Sequence, residues 1–235
     1  MRRSIATLVT AVLLLAMQAG GVPAGRAAGL PIASQSLAVF RTCVLTATAA
    51  ASTSATDSFV NQASAGTNSG TATTLDVQSG SSANRRTYAR FDLTLCAPAI
   101  PSTASVKLAT LRLYATVIPA ACRTEDIFKV TASWTESVIT WTNQPFGTTI
   151  NNPASGSRTD GITMGPACQN TVAGYVNGWT VTSDVQSFVN GSSTNYGWMV
   201  RDDTEGSATT RTATFSSKNA ANAARGPQLI VTYTT

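Results

Sequence analysis

Residues 110–117 read Thr110-Leu111-Arg112-Leu113-Tyr114-Ala115-Thr116-Val117. Apolar and polar residues alternate along the whole stretch. In an extended chain successive side chains point to opposite faces. Leu111, Leu113, Ala115 and Val117 therefore face a core, and Arg112, Tyr114 and Thr116 face away from it. That is the pattern of a half-buried strand. Working outward, residues 87–93 repeat it: Ala89, Phe91 and Leu93 share one face, and Tyr88, Arg90 and Asp92 share the other. Residues 127–132 place Phe128 and Val130 together, and residues 198–201, 211–216 and 228–234 read the same way. Gly-, Asn-, Ser- and Pro-rich segments separate these runs at 63–70, 79–84, 151–158, 202–207 and 219–227. Many alternating strands with such punctuation predict an all-β fold, a β-sandwich or jelly roll.

One short helix is predicted within this frame. Ser183 is a candidate N-cap with Gln186 three residues on, as in a capping box. Val185, Phe188 and Val189 fall on one helical face, and Asn190-Gly191 supplies a left-handed stop. Two turns are stable only when docked, so the helix is expected to cap one end of the sandwich.

Composition agrees. Of 235 residues, 43% are hydrophobic and only 11% charged, with 16 Lys+Arg, 11 Asp+Glu and no His. The absence of His excludes a Ser-His-Asp triad, a Cys-His dyad and any imidazole metal ligand. No GxSxG elbow and no phosphate-binding loop occurs. Glu125, Asp126, Glu136 and Glu205 are available as a glycosidase pair, but each also reads as turn or loop decoration.

Residues 1–28 have the layout of a secretory signal peptide: Arg2 and Arg3, an apolar run from Ile5 to Met17, then small residues. The run is short for a spanning helix, which needs about 20 residues. Cleavage after Ala24 or Ala27 fits equally. Without Arg2, Arg3 and Arg26 the basic count of 16 falls to 13 against 11 acidic residues. A nearly neutral chain without Lys/Arg clusters predicts no nucleic-acid partner and no membrane partner after cleavage. An exported chain with Cys43, Cys96, Cys122 and Cys168 predicts two disulfides. Three connectivities are open, and we favour Cys96–Cys122, which brackets one predicted strand, with Cys43–Cys168. Residues 29–56 read as an N-terminal extension tied down by Cys43, and residues 57–235 as one sandwich domain. Its oligomeric state is not set by the sequence, and a monomer is the expectation.

Several segments, in order, resemble the DNRLRE-domain proteins grouped with carbohydrate-binding modules of family 96. They are Asp57-Ser58-Phe59-Val60, Arg90-Phe91-Asp92-Leu93, Ile100-Pro101, and Ala109-Thr110-Leu111-Arg112-Leu113-Tyr114. They continue with Val130-Thr131-Ala132-Ser133-Trp134-Thr135-Glu136, Thr140-Trp141-Thr142-Asn143-Gln144-Pro145, Asn195-Tyr196-Gly197 and Pro227-Gln228-Leu229-Ile230-Val231. The resemblance implies an extracellular, noncatalytic β-sandwich that binds polysaccharide.

The residues offer two candidate sites. Tyr88, Arg90, Arg112 and Tyr114 share the outward parity and would form a Tyr/Arg strip on one sheet face. Flat rings suit the apolar faces of sugars, and Arg forks match the carboxylates of an acidic glycan. The same residues would also fit beneath a covering loop, with an arginine paired to Asp92. Trp134 and Trp141 flank a predicted loop and read as buried anchors. Asp202, Asp203 and Glu205, joined by Asp57, are candidate calcium ligands, since Ca²⁺ takes six to eight oxygens. A plain turn accounts for the same acidic loop. The function expected is a secreted module for extracellular or cell-wall polysaccharide. The alternative is a structural or adhesive protein whose sandwich binds another protein.

Overall fold

The computed structural model describes residues 38–50, 54–170 and 174–235. The expected signal peptide over residues 1–28 and its two candidate cleavage positions lie outside these residues. The compact unit runs over Ala38–Thr235. Its strands in chain order are β1 (Phe40–Thr46), β2 (Ala55–Asn61), β3 (Thr74–Ser79), β4 (Arg85–Phe91), β5 (Ser105–Arg112), β6 (Tyr114–Val117) and β7 (Arg123–Lys129). They continue as β8 (Asp160–Met164), β9 (Gly174–Tyr175), β10 (Trp179–Thr180), helix α1 (Thr182–Val189), β11 (Trp198–Asp202), β12 (Arg211–Ser216) and β13 (Gln228–Thr234). Two antiparallel sheets result. One has the order β1-β13-β5-β10; the other has the order β8-β7-β11-β4-β3-β12-β6-β9, with β2 paired to β4. The fold is an all-β sandwich.

The stretch that announced the fold is two strands. β5 pairs β13 in the four-stranded sheet, with Leu111 opposite Leu229. Leu113 turns the corner, and β6 joins β12 in the larger sheet, with Ala115 opposite Phe215. Leu111, Leu113 and Ala115 are fully buried. The alternation survives the corner because both sheets turn their inner faces to one core. Val117 was expected inside and is instead exposed. The β6–β12 register shifts just before it, and a bulge re-aims the side chains beyond it.

Residues 40–46, read as part of an extension, are an edge strand. β1 pairs β13 over seven positions, from Phe40 opposite Thr234 to Thr46 opposite Gln228. This placement also corrects the disulfides, which are Cys43–Cys96 and Cys122–Cys168. Cys43 points inward from β1 and meets Cys96 just after β4, with Cα atoms 5.4 Å apart. Register decides the other bridge: β7 pairs β8 with Arg123 opposite Met164, which brings Cys122 beside Cys168. The Cys96–Cys122 pairing assumed one strand between the two cysteines. The sheet switch at Leu113 removes that assumption. The bridges close loops of 53 and 46 residues, each contributing about 4 kcal/mol on a chain-entropy account.

Helix α1 starts two residues earlier than the capping reading, with Val181 in place of Ser183 at the N-cap and no side-chain cap bond. Gln186 of the expected capping box, and Thr182 beside it, bond the sheet edge instead. The Thr182 hydroxyl accepts from Ala109 N–H, and the Gln186 side chain accepts from Val106 N–H and donates to the Ala104 carbonyl. Gly191 takes φ +74° at the stop. Val185, Phe188 and Val189 pack on the core as expected.

The segment 131–159 covers the outer face of the large sheet and creates a second apolar cluster of Val60, Tyr88, Phe128, Val130, Trp134, Ile139, Trp141 and Met199. No helix among the described residues is long and apolar enough to cross a membrane.

Candidate functional site

Strand β4 sends Arg86, Tyr88 and Arg90 to the outer face of the large sheet, beneath the covering segment. Their fates differ along the strand. The Arg86 guanidinium lies 4.7 Å from the Trp141 ring centroid and is wholly buried. Its Nε and Nη2 donate to the two Glu205 oxygens at 2.7 and 2.8 Å, and it donates also to the carbonyls of Gly147 and Thr149. Tyr88 is buried as well. Its hydroxyl donates to Gln144 Oε1 at 2.9 Å, and its ring lies 5.6 Å from that of Trp134. Tyr88 is therefore not a surface contact. It faces away from the main core, but the Trp134–Trp141 loop has closed over it, and burial pushes its phenol well above the ordinary tyrosine range.

Arg90 stands where that cover ends. Its guanidinium lies 5.7 Å from the Trp134 ring centroid. The Trp134 indole donates to the Tyr196 carbonyl at 2.8 Å, which fixes the ring under the arginine. The Arg90 side chain is half-buried, and no hydrogen bond or ion pair reaches it. All 11 acidic residues lie among the described residues, and none pairs with Arg90. Asp92, two residues on, instead accepts from Thr94 N–H and its hydroxyl at 2.9 and 2.6 Å.

Two clefts open on either side of this arginine, and Thr56 and Arg90 wall both. One, of about 420 Å³, runs past Asp92, Thr94, Phe188 and Asn195. The other, of about 430 Å³, is lined by Trp134, Glu136, Lys218 and Asn219. The Thr56 hydroxyl is buried without a partner between them. Lys218 Nζ donates to Glu136 Oε2 at 2.7 Å. Below this pair Asp57 accepts from Lys218 N–H at 2.7 Å and leaves its other oxygen unpartnered. Burial, reinforced by the nearby Glu136 charge, pushes the Asp57 carboxyl up to about 7 against the pull of the Lys218 N–H. The result is a groove with one guanidinium at its centre that no protein group pairs, aromatic and aliphatic walls, and polar groups mostly bonded within the chain.

The predicted strip is not continuous. Arg112 ends β5 and Tyr114 begins β6, and β3 and β12 lie between β4 and β6. There the Arg112 guanidinium stacks on Tyr175, Tyr175 meets Tyr114 edge to face at 5.3 Å, and Arg225 stacks on Tyr114.

The four candidate calcium ligands also separate. Asp202 and Asp203 share the Arg123 guanidinium, at 2.8 Å from Nε and 3.0 Å from Nη2 respectively. Glu205 belongs to Arg86, and Asp57 belongs to Lys218. Among the described residues no cluster of three or more acidic or Cys side chains is arranged to hold a metal. The donors do not form one calcium cage: Asp202 and Asp203 face Arg123, Glu205 faces Arg86, and Asp57 lies apart beside Lys218 with one oxygen unpartnered. Of the carboxylates weighed as a glycosidase pair, Glu125 and Asp126 each keep one oxygen unpartnered. Glu125, Asp126 and Glu205 are buried, and Glu136 is held by Lys218. Burial, then the Asp202 charge, holds Glu125 well above the usual carboxylate range.

Thr56, Asn195, Lys218 and Asn219 carry no sequence signal for this site. They come from loops and strand ends far apart in the chain, joined only by the sheet order. Trp179 and Trp198 are core anchors whose indoles donate to the Glu125 carbonyl and the Asp184 carboxylate.

Comparison with curated proteins yields no match. The chain does match carbohydrate-binding module family 96 over residues 48–233, most of its length, and it belongs to that family.

Proposed function

We propose that this chain is a secreted, noncatalytic module that binds an extracellular or cell-wall polysaccharide in the Arg90 groove, and that the polymer is acidic. The observation that carries this reading is the unpaired Arg90 guanidinium, held over Trp134 between two clefts. A guanidinium presents five donors in a planar fork suited to a carboxylate. No Arg90 nitrogen is sealed away from water without a partner, so the fork stays accessible and a carboxylate can replace the water on it. The walls suit a sugar chain: Phe188 and the rim of the buried Trp134 supply apolar surface, and the exposed Thr135 and Ser137 hydroxyls supply hydrogen bonds. The two disulfides accord with export.

The test is affinity electrophoresis of the purified chain against neutral and uronate-bearing polysaccharides. Uronate polymers retard the chain, added salt weakens the retardation, and Arg90→Gln abolishes most of it. Retardation by a neutral glucan equal to that by a uronate polymer overturns the acidic assignment. Retardation unchanged in Arg90→Gln overturns the groove.

One observation favours the second reading, a protein-binding surface. Phe40 and Val44 of β1 and Leu108 of β5 are exposed large apolar residues on the four-stranded sheet. An exposed apolar patch of this kind suits a protein partner. Loss of a protein partner in Phe40→Ser with glycan binding intact would assign that face to it.

A further inference from the structure

The stack at the opposite side of the large sheet has the same unsatisfied chemistry as the groove. Arg112 and Arg225 each place a guanidinium 4.8 Å from a tyrosine centroid, on Tyr175 and Tyr114. Neither makes a hydrogen bond or an ion pair. No segment outside the described residues supplies a carboxylate, since it contains no Asp or Glu. Arg225 is exposed, and Arg112, Tyr114 and Tyr175 are half-buried.

The arrangement is built. The Tyr175 hydroxyl lies 2.8 Å from the carbonyl oxygens of both Ala224 and Gly226. That contact holds the turn bearing Arg225 against β9. Gly178 makes room for the Arg112 stem: at φ +94°, a Cβ there would come within 2.9 Å of Arg112 Cγ. Burial raises the Tyr175 phenol, Arg112 pulls it down and Tyr114 pushes it up, and no carboxylate acts on it. Two stacked guanidinium groups are thus pre-positioned, which lowers the ordering cost of binding.

We propose that Arg112 and Arg225, on the Tyr114–Tyr175 pair, form a second binding site for anionic polysaccharide, separate from the Arg90 groove. The choice of ligand rests on the acidic-glycan reading above; the site itself does not depend on the groove. Strand spacing of about 4.8 Å over the three steps from β4 to β6 sets the two sites about 14 Å apart or more. One long polymer, or two polymers, then engages the chain twice, and avidity exceeds either site alone.

The experiment is calorimetric titration of the purified chain with tetramers of galacturonate, mannuronate, guluronate and glucuronate. Wild type, Arg90→Gln, Arg112→Gln/Arg225→Gln and the triple variant are compared. Near-UV circular dichroism confirms each fold. The expected result is two tetramers per chain, one in each of the first two variants and none in the triple. Retardation by long polymer falls at least tenfold further in the triple than in either. One tetramer per chain, lost in Arg90→Gln and untouched in Arg112→Gln/Arg225→Gln, overturns the second site and leaves the groove standing. One tetramer lost only in Arg112→Gln/Arg225→Gln overturns the groove and keeps the stack. No binding of any tetramer overturns both. If the double Gln variant does not fold, Arg112→Lys/Arg225→Lys keeps the charges but not the fork, and unchanged stoichiometry and affinity there also overturn the site.

Discussion

Arg86 and Arg90 lie four residues apart on one strand, face the same side, and each rests on a tryptophan. Their surroundings are opposite. Arg86 is sealed, with Glu205 and two carbonyls around its fork. Arg90 sits at the rim with its fork empty. A buried arginine with a complete set of acceptors is structural, because removing either partner strands a charge. An arginine on the same kind of ring with no acceptor is available to a ligand. One stretch of β4 thus carries both roles, and the end of the covering loop divides them.

The largest effect that tests this division is at the closed end. Arg86→Ala leaves Glu205 ionised, buried and unpaired, and breaking such a pair costs about 3–5 kcal/mol. For a domain of this size that lowers the melting temperature by roughly 10 °C. Arg86→Ala melting within 2 °C of wild type would mean the sealed network carries no stability. The division would then lose its first half.

Next is the acid beneath the open end. The Asp57 carboxyl is pushed from its ordinary value up to about 7 by burial. The folded chain therefore keeps a proton that the unfolded chain releases above about pH 4. Stability falls as pH rises from about 4 to about 7, by up to about 1.4 kcal/mol for each pH unit. It levels off above that. Asp57→Asn keeps an acceptor for the Lys218 N–H and removes this share of the slope, leaving the part that the raised Glu125 contributes. Melting curves of both proteins between pH 4.5 and 8 check it. Parallel profiles would show that Asp57 titrates normally.

Arg90→Gln follows. It is expected to cost at least tenfold in affinity for an acidic polymer, about 1.4 kcal/mol. Unfolding free energy should stay within about 0.5 kcal/mol of wild type, as for a surface change. Titration and denaturant melts on the same sample separate the two quantities. A destabilisation comparable to that of Arg86→Ala would make Arg90 a structural residue too.

The sequence carried much of this, unevenly. Period-two alternation placed Ala89 and Phe91 in the core, and Leu111, Leu113 and Ala115 with them, because parity is local. It did not show that the chain changes sheets at Leu113, since both sheets share one inside. The pattern in β1 is legible in retrospect: Cys43 and Leu45 are buried between exposed neighbours. Its partner strand is the last in the chain, so nothing local announced the pairing, and the disulfides were mispaired with it. Parity set Arg90 on the outer face, where it lies over Trp134. Tyr88 was misplaced by the same rule, because parity names the side of a sheet and not whether another segment lies over it. The carboxylates read as a calcium loop belong to ion pairs spanning 119 and 79 residues. Only the tertiary fold discloses these.

Tyr88 gives the smallest effect and the sharpest division, because it sits between the two arginines. Its hydroxyl and Arg86 Nη1 both donate to Gln144 Oε1, at 2.9 and 3.3 Å. Tyr88→Phe keeps the ring against Trp134 and removes one donor. Gln144 retains Arg86, so the loss is that of one neutral hydrogen bond, about 1 kcal/mol. The melting temperature then drops by roughly 3 °C. Affinity for acidic polymer stays as in wild type, since no ligand atom reaches a fully buried phenol. Tenfold weaker binding by folded Tyr88→Phe would mean that the covering loop opens when ligand binds. The closed end would then be part of the site, and the boundary between Arg86 and Arg90 would be conformational rather than fixed.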